Sequence, residues 1–497
     1  MLTGRALAWL DPDHYEDVTP YSNPDESPYD YYAVGHTSTS IALATGMAKA
    51  RDLMGKHENI MALIGDGSMT GGLAYEGLNN AAIEKHNLVV VVNDNQMSID
   101  DNVGGLVTAL KKLRDSNGET KENPFTAIGF DYRYVADGND IQSMIDAFKA
   151  VKNVDHPILL HINTLKGKGY QPAIDNEEAH HWVMPFDLKT DKTTVAMPEG
   201  PTASSIALDV LEDHINNGEK IMAINAAIPG VFGLDRIKNK YPENYHDVGI
   251  AEQESVAFAA GMAKEGATPV LFENSTFLQR AFDQLSHDVA ANDLPVVMMV
   301  AGGGISGTSK THLGVFDQVM ISNLPNWIYL APTNLAEEKA MMEWAIKQKK
   351  HPVAIKMPTK DVPEGKEITA VDYSEIKYDI KPGKDVAVLA LGDMYDMLGK
   401  KVAEKTGASL VNPVSANILD TAALDKLTQE NKVIVTIEDN ILDGGFGEKV
   451  ASYLGDKDIK VLNYGQKRVY TDQVPLKEIL KDNRMTVDQI VEDIENA

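Results

Sequence analysis

Two short polar segments near the start of the chain carry side chains suited to binding a hard cation and a phosphate group. The first is Gly65–Ser68 (Gly-Asp-Gly-Ser), and the second is Asn93–Met97 (Asn-Asp-Asn-Gln-Met). Asp66, the amide oxygen of Asn95 and a backbone carbonyl near Met97 are oxygen donors of the kind that Mg²⁺ accepts. The flanking glycines let the backbone approach phosphate oxygens closely. We therefore predict that these segments bind a magnesium ion and a diphosphate.

Each polar segment follows an apolar run typical of a buried parallel strand, Asn59–Ile64 and Leu88–Asn93, with a helix-like run ending near Lys85 between them. Open α/β sheets bind ligands at the carboxyl ends of their strands, where the next helix N-terminus favours negative charge. Alone, Gly-Asp-Gly would also fit a tight turn in which Asp66 caps a helix. The spacing to Asn95, however, matches the diphosphate motif of thiamine enzymes, so we predict thiamine diphosphate as the cofactor.

Composition limits the classes of protein and partner. The 497 residues include 46 basic and 73 acidic side chains, and the net charge of −27 disfavours nucleic acid and anionic membranes. The absence of cysteine excludes disulfides and thiolate catalysis. We find neither a signal-peptide core nor an apolar run of about 18 residues. We therefore expect a soluble cytoplasmic protein without nucleic-acid or membrane partners.

Strand-like and helix-like runs alternate along the whole chain, which predicts an α/β fold with mainly parallel sheets flanked by helices. Two polar stretches rich in proline or glycine, Asp187–Thr202 and Met357–Lys384, interrupt the alternation and are typical of linkers. We predict three consecutive domains, 1–195, 200–362 and 370–497. The further strands that we predict are Ile158–Ile162, Lys220–Ile224, Pro269–Phe272, Pro295–Val300, Trp327–Leu330, Val386–Leu391, Ser409–Val411, Lys432–Thr436 and Lys460–Leu462.

Thiamine chemistry also needs a carboxylate against N1′ of the cofactor's pyrimidine, and this group should come from another domain. Glu252 follows a strand-like segment and precedes the small-residue helix Ser255–Lys264. Alone, it would equally fit a helix-capping carboxylate. The segment Phe272–Gln284 changes this interpretation because of the family that it resembles.

Six motifs resemble the 1-deoxy-D-xylulose 5-phosphate synthase family, within the transketolase-like superfamily. They cover nearly the whole chain, and Ser-Thr-Phe-Leu-Gln-Arg-Ala-aromatic-Asp-Gln is highly specific to the family. The motifs are Gly35–Ser40 (GHTSTS), GDGSMTGG from Gly65, Asn93–Ser98 (NDNQMS), GIAEQ around Glu252, STFLQRAFDQ from Ser275, and Glu438–Asn440 with Gly444–Gly447.

The resemblance implies a transketolase-like fold with a diphosphate-binding, a pyrimidine-binding and a C-terminal domain. It also implies that Glu252, His181 and His312 are catalytic and that Asp66, Asn95 and Met97 hold Mg²⁺. The implied cofactor-binding residues are His36, Ser38, Gly65, Asp66, Gly67, Ser68, Asn95, Met97, Glu252, Phe277 and Arg280. Other interpretations stay open, because Phe277 could be a core aromatic, either histidine a surface or hydrogen-bonded core residue, and Arg280 a structural ion-pair partner.

Several residues differ from the family pattern at positions where the family contacts its substrates. Asn274 replaces a tyrosine, Glu254 a histidine, and the loop Gly307–His312 is one residue shorter and lacks an aspartate. Gly302 and Thr359 replace arginines that, in the family, hold the phosphate of glyceraldehyde 3-phosphate. Losing two such charge-assisted contacts would weaken the binding of a phosphorylated acceptor by roughly two orders of magnitude. Three lysines could substitute as point charges: Lys310, Lys356 and Lys360.

The resemblance implies a homodimeric transferase of isoprenoid biosynthesis that moves a two-carbon unit from pyruvate to glyceraldehyde 3-phosphate and releases CO₂. The family also has an N-terminal region before the Leu-Thr-Gly-Arg that opens this chain. We expect a start further upstream, a separate polypeptide that supplies the region, or an incomplete site. The alternatives are a transketolase-like enzyme with another donor or acceptor, and a cofactor-binding subunit that needs a partner chain.

Overall fold

A computed structural model describes residues 3–14, 17–195, 200–359, 362–368 and 371–497. Three sheets follow one another along the chain, and a two-stranded ribbon lies between the first and the second. Each sheet and the helices packed on it are called the first, second and third unit. All strand pairs in the three sheets are parallel except one, in accordance with the predicted α/β class. Residues 196–199 of the first predicted linker, and Lys360, lie outside the described residues.

The first sheet has four strands in the order β1-β2-β4-β3. β2 is buried along most of its length, because helices cover both faces of a parallel sheet. The strands are β1 Met61–Gly65, β2 Leu88–Asp94, β3 Asp131–Val135 and β4 Pro157–Asn163, followed by the ribbon β5 Phe186–Asp187 and β6 Lys192–Thr193. The helices are α1 Leu7–Leu10, α2 Ser40–Leu53, α3 Gly72–Ala81, α4 Gly105–Asp115, α5 Pro124–Ala127, α6 Ile141–Val151 and α7 Gln171–Asp175.

The second sheet has six parallel strands in the order β11-β12-β10-β9-β7-β8. Its apolar side chains belong to a core that continues into the third unit. The strands are β7 Ile221–Asn225, β8 Tyr245–Asp247, β9 Thr268–Asn274, β10 Val297–Ala301, β11 Ile328–Leu330 and β12 Val353–Lys356. The helices are α8 Ala203–Asn216, α9 Pro229–Phe232, α10 Asp235–Lys240, α11 Glu252–Lys264, α12 Phe282–Gln284, α13 Asp317–Ser322 and α14 Leu335–Lys347.

The third sheet has five strands in the order β13-β15-β14-β16-β17, and β13 is the antiparallel edge strand. The strands are β13 Asp379–Lys381, β14 Asp385–Ala390, β15 Ser409–Asn412, β16 Asn431–Ile441 and β17 Lys460–Gln466. The helices are α15 Lys400–Thr406, α16 Thr421–Glu430, α17 Phe446–Tyr453, α18 Leu476–Asp482 and α19 Val487–Glu495. Short 3₁₀ segments occur at Pro12–His14, Ser68–Thr70, Pro242–Asn244 and Phe277–Ala281, and π-helical turns at Leu285–Ala290 and Tyr395–Gly399.

Every apolar run that we predicted as a strand forms one, although the bounds shift by a few residues. Three strands of the sheets were missed because they are short or lack a clear apolar period: β3, β12 and β13. β8 lies near the strand-like segment predicted before Glu252, for which no bounds were given. Both predicted linkers contain regular structure as well, the ribbon β5–β6 in the first and β13 in the second. Within the described part of the chain, no helix is both long and apolar enough to cross a bilayer.

Candidate active site

A cavity of about 430 Å³ lies between the first and second units, at the carboxyl ends of their strands. The β1–α3 and β2–α4 connections supply one wall, and the start of α11 with the segment after β9 supplies the other. Eleven predicted site residues line it: Gly65, Asp66, Gly67, Ser68, Asn95, Met97, His181, Glu252, Phe277, Arg280 and His312. Chain folding thus brings together residues that are far apart in sequence.

The oxygen donors predicted for a cation lie on the first wall. Asp66 is 2% exposed, and one of its carboxylate oxygens accepts a hydrogen bond from Asn102 Nδ2 at 2.8 Å. Burial, and then the neighbouring Asp94 carboxylate, raises the pKa of Asp66 to about 7. A divalent cation would favour the ionised form. The combination of carboxylate, Asn95 amide and backbone carbonyl suits Mg²⁺ in its donor chemistry.

A buried polar network supports this wall from behind. Asp94 is fully buried and accepts hydrogen bonds from Arg114 Nη1 at 2.5 Å and from His161 Nε2 at 2.8 Å. The other nitrogen of His161 lies 2.7 Å from the Tyr132 hydroxyl. Although burial opposes ionisation of Asp94, these donors hold its pKa below the ordinary value. The network fixes the end of β2, from which Asn95 projects.

Glycines make the first wall close-fitting. A Cβ atom at Gly67 would lie 2.7 Å from the Cβ of Ser98, and one at Gly71 would lie 2.5 Å from Ser38 Oγ. Ser38 has a φ of 74° and donates a hydrogen bond to the Ser68 carbonyl at 2.7 Å. Ser38 therefore shapes the turn from outside the cavity lining. The backbone forms a cradle of the kind that a diphosphate requires.

Glu252 lies on the opposite wall as the first residue of α11 and is 4% exposed. Arg280 Nη1 lies 3.4 Å from one of its carboxylate oxygens, and Arg280 Nη2 donates to the Thr37 carbonyl of the first unit. Arg280 is therefore both an ion-pair partner and a lining residue. Glu273, on β9, is a second buried carboxyl group, and burial together with the charge of Glu252 raises its pKa well above the ordinary value.

Three rings, those of His36, Phe277 and His312, meet at one end of the cavity. The ring centroids of His36 lie 5.0 Å from Phe277 and 5.4 Å from His312, and Tyr21 stacks on His312 at 4.6 Å. His36 Nε2 also lies 3.0 Å from Thr276 Oγ1. Burial, and then the charge of Arg280 and electrostatic repulsion from His312 when it is protonated, lowers the pKa of His36 to about 4. Burial also lowers the pKa of His312.

Lys166 is a lining residue that sequence reasoning missed. It follows β4, and its Nζ donates to the Ser98 carbonyl at 2.8 Å. Burial lowers its pKa. His181 also lines the cavity, and burial, followed by the charge of Lys166, lowers its pKa. The position of Lys166 at the carboxyl end of a parallel strand was the signal that could have identified it.

The two walls are joined by direct contacts. The backbone N–H of Ile250 donates to Thr70 Oγ1 at 2.9 Å, and a Cβ atom at Gly249 would lie 2.9 Å from the same oxygen. Lys238 Nζ pairs with Asp100 at 2.5 Å. The turn that carries Asp66 is thus held against the segment that carries Glu252.

Most residues that depart from the family pattern surround an adjoining chamber of about 540 Å³, which shares Tyr21 and His312 with the first cavity. Glu254 is the exception, since it does not line the chamber and is exposed. Asn274, Gly302 and Thr359 all line it. Neither of the two lysines considered as substitutes within the described residues lines the chamber, although Lys356 lies behind Gly303. Lys310 Nζ contacts Asn23 at 3.0 Å and Asp25 at 3.4 Å, and Lys356 Nζ contacts the buried Asp439 at 2.7 Å.

The fold and this two-walled site define a thiamine-diphosphate-dependent transferase of the transketolase type, a class that uses the cofactor with a divalent metal. Family models described as the transketolase pyrimidine-binding domain and the transketolase C-terminal domain match residues 200–364 and 375–490. The model described as 1-deoxy-D-xylulose-5-phosphate synthase matches residues 1–122 and 116–164. The chain belongs to the 1-deoxy-D-xylulose-5-phosphate synthase family, as its motifs predicted.

Curated relatives with that name align along most of the chain. The protein of Clostridium perfringens strain 13 is 35% identical over 92% of this chain and 80% of its own length. The 1-deoxy-D-xylulose-5-phosphate synthase 1 of Geobacter sulfurreducens is 35% identical over 97% of this chain and 83% of its own length. The protein of Gloeobacter violaceus is 36% identical over 93% of this chain and 80% of its own length.

A solved structure described as a split-gene transketolase, inactive beta4 tetramer, shares the fold. It superimposes with a TM-score of 0.51 at 22% identity, covering 60% of this chain and 98% of that one. This likeness supports the transketolase-like architecture.

Proposed function

We propose that the chain uses thiamine diphosphate and Mg²⁺ to transfer a two-carbon unit from pyruvate to an aldehyde, the type of reaction that forms 1-deoxy-D-xylulose 5-phosphate in its family. One observation carries the proposal. Asp66 and Asn95 face Glu252 across a single cavity. One cofactor can therefore bind with its diphosphate end at Asp66 and Asn95 and its pyrimidine end at Glu252.

Each wall has its own task. Asp66, the Asn95 amide and the Met97 carbonyl would hold the metal, and Lys166 would add positive charge beside the diphosphate. Glu252 would share a proton with N1′ of the pyrimidine, and its carboxylate would accept a hydrogen bond from the protonated N1′. The cofactor supplies the electron sink for breaking and forming carbon–carbon bonds, while the cavity orients it and limits access of water.

The histidines are placed to exchange protons with the substrates. Because their lowered pKa values leave His36, His181 and His312 uncharged near neutral pH, they can accept a proton or hydrogen-bond a carbonyl or hydroxyl group. All three stand beside the cavity, with His181 and His312 in its lining. We assign them to steps in which substrate oxygens change charge.

The surrounding organisation is part of the same proposal. We infer a diphosphate-binding domain at 1–195, a pyrimidine-binding domain at 200–362 and a C-terminal domain at 370–497. We further infer a cytoplasmic homodimer, as its family resemblance implies. A separate partner chain is the other partner that we consider.

Two measurements test the function. Calorimetric titration of the purified chain with thiamine diphosphate and Mg²⁺ should show binding that EDTA abolishes. Incubation with 1-¹³C-pyruvate and an aldehyde should release ¹³CO₂ and form a ketose two carbons longer than the aldehyde. Turnover of a ketose phosphate without CO₂ release would favour the transketolase-type alternative, and absence of cofactor binding would favour a subunit that needs a partner.

A further inference from the structure

We propose that the chamber beside the cofactor cavity accepts an uncharged hydroxyaldehyde instead of a phosphorylated one. This inference rests on the proposed function, since it names the acceptor of the same site. Its basis is the location of the chamber, the chemistry of its walls and the carboxylates behind them.

The chamber is placed to hold the far end of an acceptor. It shares Tyr21 and His312 with the cofactor cavity, and Thr276, which also lines it, contacts His36. An aldehyde whose carbonyl lies in the cofactor cavity would therefore extend its remaining carbons into the chamber. A volume of about 540 Å³ is ample for a short sugar chain.

The polar side chains that line the chamber carry mainly hydroxyl and amide groups. Among the residues that the structure describes, no lysine, arginine, aspartate or glutamate lines it. Ser306 Oγ lies 3.0 Å from Thr308 Oγ1, and Thr359 Oγ1 donates to Asp393 at 2.8 Å. The polar side chains of the lining include Asn274, Ser306, Thr308, Ser309, Thr359 and Gln473. Such groups hydrogen-bond sugar hydroxyls and provide no charge for a phosphate dianion.

One wall is bare backbone, and its geometry requires glycine. Gly302 has a φ of +64° and Gly304 a φ of +118°, both in the left-handed region. A Cβ atom at Gly302 would lie 2.8 Å from Asn274 Nδ2, and one at Gly303 would lie 3.1 Å from Asp317 Oδ2. A cationic side chain at position 302 would therefore strain the loop as well as displace Asn274.

Carboxylates lie behind this wall. Asp439 is 2% exposed, has one oxygen without a hydrogen-bond partner, and packs against Gly304. Asp317 is fully buried behind Gly303. Lys356 is also buried there, since its Cε would lie 3.4 Å from a Cβ atom at Gly303, and its Nζ contacts Asp439. A phosphate in the chamber would meet the two carboxyl groups and this one ammonium group through a thin backbone wall, with no charged Lys, Arg, Asp or Glu side chain in the described lining.

The reaction balances with an uncharged acceptor. The C1–C2 bond of pyruvate breaks and CO₂ leaves. The remaining two-carbon unit forms a bond to the aldehyde carbon, and the aldehyde oxygen takes up one proton. The product from D-glyceraldehyde is a 1-deoxyketose without phosphate.

Competing acceptors provide the test. The full chain with thiamine diphosphate, Mg²⁺ and pyruvate should use D-glyceraldehyde with a kcat/KM at least about ten-fold above that for D-glyceraldehyde 3-phosphate. Thr359→Arg should shift this ratio toward the phosphorylated acceptor by roughly ten- to hundred-fold, whereas the polar but uncharged Thr359→Gln should not. Lys360→Gln should leave the wild-type ratio unchanged. A ten-fold preference of the wild type for the phosphorylated aldehyde would overturn the inference. A fall in the relative use of the phosphorylated aldehyde in Lys360→Gln would also overturn it.

A binding measurement separates this inference from the proposed function. If neither aldehyde is turned over, the function fails, and saturation-transfer NMR on the same full chain still compares the two ligands. The inference would be supported if the wild type bound D-glyceraldehyde more tightly and if Thr359→Arg bound the phosphorylated aldehyde more tightly than the wild type does. Tighter binding of the phosphorylated aldehyde by the wild type, or binding of neither at millimolar concentration, would refute it.

Discussion

Replacing Glu252 by glutamine tests the carboxylate on which the proposed function depends. The side chain is 4% exposed, so water cannot replace its charge, and glutamine keeps its size and its acceptor oxygen. Loss of a preorganised charged contact in a water-excluded site costs about 2.7–4 kcal/mol of transition-state stabilisation. We therefore expect kcat for CO₂ release from pyruvate to fall by roughly 10²–10³. Cofactor affinity should change by about ten-fold or less, because the diphosphate end is untouched.

Glu273 sharpens the design of this experiment. Its pKa is raised by burial and by the charge of Glu252, so neutralising Glu252 makes ionisation of Glu273 easier. Residual activity of Glu252→Gln should therefore fall further in the double variant with Glu273→Gln. Glu254→Gln, on the exposed side of the same helix, is the matched control and should behave as wild type. Wild-type turnover by Glu252→Gln, with calorimetry showing normal cofactor binding, would refute the assignment.

Three further predictions concern stability and assembly of the site. The pKa of His36 is about 4 in the folded chain and near 6.5 in an unfolded one. The free energy of unfolding, measured with urea, should therefore fall as the pH is lowered from 6.5 to 4, because only the unfolded chain takes up the proton. His36→Asn should make this pH dependence less steep. Lys356→Met should destabilise the chain by about 3–5 kcal/mol in urea unfolding because it strands the buried Asp439, and adding Asp439→Asn should restore more than half; no rescue would contradict the pairing. Thr70→Val should weaken thiamine diphosphate binding by about five- to thirty-fold in calorimetry, because the Ile250 N–H loses its acceptor at a cost of about 1–2 kcal/mol, and unchanged affinity would show that the contact does not shape the site.

The sequence was sufficient for most of the fold and for eleven of the residues that line the cavity, although not for Lys166. Long apolar runs such as Leu88–Val92 identify parallel strands, because such strands are buried on both faces. Asp66 and Asn95 could be placed at one edge of the sheet because each directly follows such a run. Glu252 needed the family motifs, since a glutamate at a helix start has an equally ordinary role as a cap.

Other features depend on contacts that a linear pattern does not encode. β13 is a three-residue edge strand within a polar stretch, so its pairing with β15 depends on the sheet already formed. The contact between Thr70 and the Ile250 N–H joins two units, and neither residue carries a signal for it. The glycines around position 302 could be read as a lost arginine, whereas their left-handed backbone became visible only in three dimensions.

The contact of Thr70 with Ile250 and the pair Lys238–Asp100 join two halves of the site that belong to one continuous polypeptide. Tethering keeps the two halves at a high effective concentration, on the order of millimolar for a short flexible connection. If the chain were cut between the first and second sheets, cofactor capture would require an encounter of two molecules and would depend on dilution. The covalent connection therefore makes assembly of the site independent of protein concentration.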